Sequence, residues 1–240
     1  MRLLDRKIIS VVMTMGYSAS AMAVAPDTGT HIQQYQRAEV PNSTRMSDEN
    51  KARVTFQLYA RCLVDLNRPR VEKFLAVSPY DGEFEKGASR LTTGDCLQGT
   101  MHEGVEMRFS PHLLRQSLYT ALYAKDYKSS APALTVDPLT FERDFNADPK
   151  LMTNGYVALR QFAECVIRAD QKDSRTLTLS MAGSASETSA FQAIVPFLGP
   201  CLPQGNQLQF SKPMLTGLIA EVLYRLSKTS ELAQARPEKN

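Results

Sequence analysis

Two parts of this chain carry the same pattern of cysteine, apolar and aromatic residues. Cys62 and Cys96 lie 34 residues apart, and Cys165 and Cys201 lie 36 residues apart. Near the end of each part, the same residue types recur at identical offsets: Phe109, Leu114, Leu122 and Tyr123 in the first, and Phe210, Leu215, Leu223 and Tyr224 in the second. An ordered series of matches indicates an internal duplication, so we expect two related structural units.

The duplication also favours one of the three ways in which four cysteines can pair. Because each unit contains two cysteines, it predicts the disulfides Cys62–Cys96 and Cys165–Cys201. Closing a loop of about 35 residues would stabilise the folded chain by about 3.5–4 kcal/mol in the chain-entropy model. The alternative is that the four cysteines stay reduced and pack as small apolar side chains.

Apolar residues recur every three or four positions in both units, which predicts amphipathic helices. Glu221 and Arg225 lie on the other side of the last helix as an i,i+4 pair. Ser110-Pro111 and Ser211 with Pro213 indicate helix starts, because serine caps a helix and proline suits its first turn. The clearest apolar stripe comprises Leu215, Leu218, Ile219, Val222, Leu223 and Leu226.

One more helix is expected before the second cysteine of each unit. In the second unit it opens with a cap at Ser186, and Pro196, Gly199 and Pro200 stop it. Alternating β-branched residues are almost absent, and residues 176–180 form the one weak run. The predicted fold class is therefore mainly α, with two tandem disulfide-stapled helical repeat units packed on each other.

Turn-forming residues divide the chain into segments. Proline, glycine, serine and asparagine concentrate at both ends and between the two units. The expected organisation is a signal peptide at 1–23, a flexible tail at 24–47, unit 1 at 48–128, a linker with room for one helical turn at 129–148, unit 2 at 149–228, and a flexible tail at 229–240.

The N-terminus has the three parts of a secretory signal peptide. Arg2, Arg6 and Lys7 are basic, residues 8–17 are mostly apolar, and Ala21-Met-Ala23 has the small-x-small cleavage pattern. We expect cleavage after Ala23 and a periplasmic or secreted product. The alternative is a membrane anchor, which needs about 20 apolar residues, whereas polar residues interrupt this run. No later segment is apolar enough to predict a membrane span.

Removal of the signal peptide leaves 25 basic and 24 acidic side chains, a formal charge of +1 instead of +3. This balance gives no electrostatic signature for nucleic acid or an anionic membrane. The sequence lacks the motifs of phosphate-binding loops, α/β serine hydrolases and Cys-x-x-Cys redox sites, and it has no closely spaced zinc ligands. No cofactor or metal is therefore expected.

One group of titratable residues follows Cys96 in the first unit only. Two histidines and two carboxylates could form an acid–base or metal site, although solvated loop residues are the simpler interpretation. Two charged residues beside the cysteines, Arg61 and Glu164, are interpreted as surface charges. The titratable group comprises His102, Glu103, Glu106 and His112.

Three segments of the second unit carry a family resemblance. They are Glu164-Cys165-Val166, residues 198–203 (LGPCLP) and residues 215–224, a Leu-x-Gly-x-x-Ala-Glu-x-Leu-Tyr helix. Together they resemble exported proteins of unknown function from alphaproteobacteria, especially sphingomonad-like ones. The first unit matches more loosely, since it lacks Gly-Pro before Cys96. The resemblance implies an exported helical protein and assigns no functional residue.

Three functions remain open on these observations. We favour a binding or interaction protein of the cell envelope over an enzyme, with another envelope protein as its expected partner. The first alternative is a carrier of a small apolar ligand between the two helical units, and a closed core would count against it. The second is a hydrolase or lyase, which predicts that His102, Glu103, Glu106 and His112 converge in one cleft.

Overall fold

Seven α-helices make up most of the described chain. The computed structural model describes residues 36–97, 109–148, 150, 153–202 and 210–235. These residues contain no β-strand, so the prediction of a mainly α fold is confirmed. The helices are α1 (Asp48–Leu75), α2 (Glu83–Leu91), α3 (Pro111–Tyr127), α4 (Asn154–Ala169), α5 (Gln171–Leu179), α6 (Ala185–Cys201) and α7 (Lys212–Gln234), with 3-10 segments at Gly94–Cys96 and Phe141–Ala147.

Serine caps fix where α3 and α7 begin, as the sequence predicts. Ser110 Oγ accepts a hydrogen bond from the backbone N–H of Leu113 at 3.2 Å, and Ser211 Oγ accepts one from Met214 at 3.4 Å. Proline occupies the first turn of both helices. Each cap satisfies one backbone N–H that a helix start leaves without an internal partner.

The helix predicted before Cys201 differs from its prediction at both ends. Ser184, not Ser186, caps α6, and the helix continues through Pro196 and Pro200 to Cys201. The predicted stop is therefore wrong. Pro196 lies on an exposed part of the helix, where water can bond the carbonyl that a proline leaves without its N–H donor. The weak β-like run at 176–180 is also helical, since α5 extends to Leu179.

A backbone break follows the first cysteine of each pair. Asn67, five positions after Cys62, interrupts α1 with φ −154° and ψ 71°. Asp170, five positions after Cys165, separates α4 from α5 with φ −148° and ψ 83°. Both side chains cap the helix that follows: Asn67 Oδ1 accepts from the N–H of Arg70 at 3.1 Å, and Asp170 Oδ1 from that of Asp173 at 3.0 Å.

Two disulfides tie the helices together. Cys62–Cys96 joins α1 to the 3-10 segment that precedes α3, and Cys165–Cys201 joins α4 to the end of α6. The prediction of disulfide bonds is confirmed, and the described part of the chain has no free cysteine.

Buried apolar side chains form two clusters. One comes mainly from α1, α2 and α3 and includes Phe56, Leu63, Phe84 and Leu118. The other comes mainly from α4 to α7 and includes Phe162, Ile167, Leu177, Ile219 and Leu223. All the described residues belong to one compact unit, because the clusters meet where α3 packs against α7.

Helices α3 and α7 run side by side in the same direction. Gln116 faces Gly217 near their N-terminal ends, and the Tyr127 hydroxyl donates to Glu231 at 2.8 Å near their C-terminal ends. This parallel pair places both helix N-termini at the same end of the molecule. Cavities flank the pair on both sides.

The segments outside the two predicted units lie partly in the fold. Ala38, from 24–47, is buried, and its N–H donates to the carbonyl of Cys96 at 2.8 Å. Phe141, from 129–148, is fully buried in the second cluster, and α7 continues past 228 to Gln234. The predicted signal peptide lies outside the described residues. None of the described helices is both long and apolar enough to cross a membrane.

Candidate ligand-binding site

A largely apolar cavity of about 480 Å³ lies between α1 and the α3/α7 pair. We call it the α1 cavity. Its volume falls within the range of pockets that bind small molecules, roughly 300–1,000 Å³. Phe56 and Phe109 form an aromatic wall, with ring centroids 5.0 Å apart. The apolar lining includes Val40, Phe56, Leu97, Phe109, Leu113 and Pro213.

Short side chains leave this space open. Ser117 and Thr120 on α3, and Thr216 and Gly217 on α7, all line the α1 cavity. The two helices approach closely at Gly217, because a Cβ at this position would lie 2.2 Å from the Cβ of Gln116. Side chains this small do not reach α1, so an opening remains in an otherwise close-packed interior.

The charged groups that line the α1 cavity already have partners, and so does the amide of Gln57. Arg53 donates to both carboxylate oxygens of Glu187, and Lys51 lies 3.1 Å from Asp48. Gln57 donates to the carbonyl of Ser180 at 3.3 Å and accepts from the N–H of Ala182 at 2.9 Å. A ligand in this cavity meets no uncompensated charge.

Two hydroxyl groups of the lining can still form further hydrogen bonds. Thr120 donates to the carbonyl of Gln116 at 3.2 Å, which leaves its oxygen free to accept. Thr216 is only 7% exposed, and its Oγ1 has no hydrogen-bond partner among the described residues. A buried hydroxyl without a partner destabilises a protein by about 1–3 kcal/mol, so the ligand-free protein would gain from a partner for Thr216.

A buried charge cluster lies on the opposite side of the α3/α7 pair. Glu221 on α7 accepts hydrogen bonds from Arg160 on α4, with Nη2–Oε2 at 2.7 Å and Nε–Oε1 at 3.0 Å. Arg115 on α3 donates to the same carboxylate, with Nη2–Oε1 at 3.3 Å. The exposed fractions are 3% for Arg115, 6% for Arg160 and 1% for Glu221.

Further contacts fix the two arginines. Arg160 lies 3.4 Å from the ring centroid of Tyr156, and Arg115 donates to the carbonyl of Leu75 at 2.7 Å. Burial alone would raise the pKa of Glu221, but Arg115 and Arg160 outweigh it and hold that pKa below its ordinary value of 4.5. Glu221 is therefore ionised at neutral pH.

The four titratable residues singled out from the sequence fall mostly outside the described chain. His102, Glu103 and Glu106 lie outside the described residues, and the prediction that the four side chains converge in one cleft therefore stays a prediction. His112 lies in the first turn of α3, with its ring 5.2 Å from that of Phe84. Among the described residues, no group of three or more histidine, cysteine or acidic side chains is placed to hold a metal ion.

The sequence predictions for two buried carboxylates, Glu221 and Glu164, are wrong. The i,i+4 pair of Glu221 with Arg225 is wrong, because Arg225 pairs with Asp144 at 2.7 Å while Glu221 faces the interior. Glu164 is not a surface charge either: it is 5% exposed and bonds Arg168 at 2.7 Å. For Glu221 the one signal in the sequence was its place beside an apolar stripe, and its partners Arg115 and Arg160 lie on other helices.

Comparison with known proteins adds no family to this description. No family model, curated protein or solved structure matches the chain.

Proposed function

We propose that this chain is an exported binding protein that holds a small, neutral, largely apolar molecule in the α1 cavity. The observation that carries the proposal is the largely apolar α1 cavity of about 480 Å³, whose lining includes Thr216, a residue with a hydroxyl that has no partner in the described chain. A rotation of the Thr216 side chain would present this hydroxyl to a hydroxyl or carbonyl group of a ligand, and the rest of that ligand would contact apolar walls such as Phe56 and Leu113.

Pairing of the surrounding charges supports a neutral ligand. Arg53 is matched by Glu187 and Lys51 by Asp48. An ionised ligand would lose its hydration on entering and gain no opposite charge in return.

Export is the second part of the proposal. Two intramolecular disulfides support it, because such bonds persist in oxidising compartments and are rare in the cytosol. A site that takes up an apolar molecule suits the envelope, where apolar molecules must cross water between membranes.

The two-unit organisation is the third part of the proposal. It is supported by the breaks at Asn67 and Asp170, which have the same offset from a cysteine and similar backbone angles. It is also supported by matching aromatic contacts. The ring centroids of Phe109 and Tyr59 lie 6.1 Å apart, and those of Phe210 and Phe162 lie 5.2 Å apart. Tyr59 and Phe162 each lie three positions before a cysteine. On this organisation the α1 cavity lies between the units, since α1 and α3 belong to one and α7 to the other.

Native mass spectrometry of protein purified from its own envelope tests the ligand. We expect a native mass that exceeds the denatured mass by a few hundred daltons, the size of a molecule that fills a pocket of this volume. A native mass equal to the denatured one, or larger by whole protein chains only, would contradict the proposal and favour an interaction protein.

A cavity-filling variant tests the location. Ser117→Leu places a larger side chain in the α1 cavity, and α7 carries a leucine, Leu218, at the corresponding offset. We expect Ser117→Leu to lose the extra mass and Ser117→Ala to keep it. Equal ligand content in both variants would place the ligand elsewhere.

A further inference from the structure

A second cavity of about 480 Å³ lies between α4 and the α3/α7 pair. We call it the α4 cavity. Its polar lining includes Arg115, Arg160 and Glu221, together with the caps Ser110 and Ser211. It shares Leu113, Gln116 and Pro213 with the lining of the α1 cavity, but its charged side chains line it alone, so the observations on them are independent of the proposed function.

The charges facing the α4 cavity do not balance. Two guanidinium groups, Arg115 and Arg160, share the single carboxylate of Glu221. The neighbouring Arg225 is neutralised by Asp144, with bidentate contacts of 2.7 Å. One positive charge is therefore left in a buried cluster, and buried charge is costly unless an opposite charge accompanies it.

One donor of this cluster has no acceptor. Arg115 uses both terminal nitrogens, on the carbonyls of Leu75 and Val77, the Tyr119 hydroxyl and Glu221. Its Nε–H is buried and has no partner among the described residues. This unmet donor adds to the cost of the unbalanced positive charge, and an anion in the cavity would offset that cost.

The helix dipoles act in the same sense. The first turns of α3 and α7 both line the α4 cavity, through Ser110 and His112 on one helix and Ser211 and Met214 on the other. The helices are parallel, so their partial positive charges add at this end. Helix N-termini favour anions for this reason.

We propose that the α4 cavity binds a small organic carboxylate. The arginines and the helix N-termini would hold the carboxylate group. The lining also contains apolar side chains, among them Pro79, Leu159, Met214 and Leu218. They would pack against the apolar part of an organic carboxylate, whereas a bare inorganic anion has no apolar part for them to contact.

Titration calorimetry with three probes tests the chemistry, on the Ser117→Leu variant so that the α1 cavity cannot take up the neutral probe. Benzoate carries the proposed carboxylate on an apolar body, benzyl alcohol has a similar body without the charge, and inorganic phosphate has charge without the body. We expect benzoate to bind and to raise the melting temperature. No binding of benzoate, equal binding of benzyl alcohol, or tighter binding of phosphate would each overturn the proposal.

Substitutions test the location. Arg160→Met leaves Arg115 and Glu221 as a balanced pair, and we expect it to weaken benzoate binding by about tenfold or more. Arg168→Met is the matched control on the same helix, because Arg168 pairs with Glu164 away from the cavity, and it should bind normally. Should Arg160→Met fail to fold, Met214→Trp fills the cavity without touching the charges and should also abolish binding. Undiminished binding in a folded Arg160→Met or Met214→Trp variant would overturn the assignment.

Discussion

At the scale of single residues, the buried charge of Glu221 is held by partners far away in sequence. Glu221 lies on a helix with a long apolar stripe, yet it is almost completely buried because Arg115 and Arg160 reach it from two other helices. A buried carboxylate of this kind is stable only while its partners remain.

The substitution Glu221→Gln should therefore destabilise the protein strongly. It leaves two buried guanidinium groups without a counter-charge, and we expect the unfolding free energy to fall by about 3–5 kcal/mol. Urea denaturation at neutral pH measures the change. Glu83→Gln is the control, because Glu83 pairs with Lys86 on the exposed side of α2 and should leave stability unchanged. A Glu221→Gln variant as stable as that control would show that the cluster is not buried in solution.

The pH dependence of stability follows from the same residue. The pKa of Glu221 is lower in the folded protein than its ordinary value of 4.5, which applies to the unfolded chain. Between these two pKa values the unfolded chain binds a proton that the folded chain does not. The stabilisation is complete above about pH 4.5 and is lost as the pH falls through the folded pKa. Acid titration of unfolding should show this loss in the natural protein and a smaller one in Glu221→Gln.

Thr216→Val should stabilise the ligand-free protein. Valine keeps the shape of threonine and removes a buried hydroxyl that has no partner in the described chain, so the unfolding free energy should rise by about 1 kcal/mol or more. Thr178→Val is the matched control, because the Thr178 hydroxyl donates to Ser174 at 2.9 Å and its removal should lower stability. Chemical denaturation of both variants, refolded without ligand, makes the comparison. A loss of stability in Thr216→Val would mean that the hydroxyl is bonded in the free protein.

At the scale of secondary-structure elements, helix ends and helix contacts depend on a few side chains. Asn67 and Asp170 each begin a new helical segment soon after a disulfide. Replacing such a cap by alanine typically costs about 1 kcal/mol. We expect this loss in Asn67→Ala and in Asp170→Ala, measured by thermal or urea unfolding. Asn67→Asp and Asp170→Asn keep a side-chain acceptor and should retain stability, and a similar loss in them would argue against capping.

Gly217 lets α3 and α7 approach each other closely at Gln116. A Cβ at this position would lie 2.2 Å from Gln116 Cβ and 2.7 Å from its Cγ, so Gly217→Ala must push the helices apart at a cost of about 1–3 kcal/mol. Adding Gln116→Gly removes the obstacle, and the double variant should be more stable than the sum of the single changes predicts. Strict additivity in urea unfolding would mean that the helices do not touch at this point.

Elements with long apolar stripes were predictable, whereas short and irregular ones were not. The stripe of α7 is buried as predicted. An apolar period of three to four residues indicates a helix with one buried face, whichever elements that face packs against. The nine-residue α5 carries threonines and leucines in alternation, and its helical state is set by the Asp170 cap and by packing. The cavities were not predictable either, since α1, α3, α4 and α7 are distant in sequence and only the fold brings them together.

At the scale of the whole molecule, the two cavities occupy corresponding positions on the two sides of the α3/α7 pair. Gln57 of the α1 cavity and Arg160 of the α4 cavity each lie five positions before a cysteine. Thr120 and Glu221 each lie eleven positions after Phe109 or Phe210, and Arg115 and Thr216 each lie six positions after them. If the units are copies, one ancestral site has given a cavity whose charges are paired and one that keeps an unpaired positive charge. The two proposed ligands, neutral and anionic, follow from that difference.

The disulfides should account for much of the stability of this molecule. Each closes a loop of about 35 residues, worth about 3.5–4 kcal/mol in the chain-entropy model, and at this chain length each kcal/mol shifts the melting temperature by roughly 2–4 °C. Reduction should therefore lower the melting temperature by on the order of 10 °C for each bond. Circular dichroism melting with and without a reductant, together with a count of free thiols, measures this effect.

Paired alanine variants separate the contributions of the two bonds. Cys62→Ala with Cys96→Ala, and Cys165→Ala with Cys201→Ala, each remove one loop of nearly equal length, so their losses should be similar. The two apolar clusters share the α3/α7 contact, and each variant should therefore still melt in one transition. Two separate transitions would show that the clusters unfold independently, and an unchanged melting temperature with free thiols present would refute a stabilising role for the disulfides.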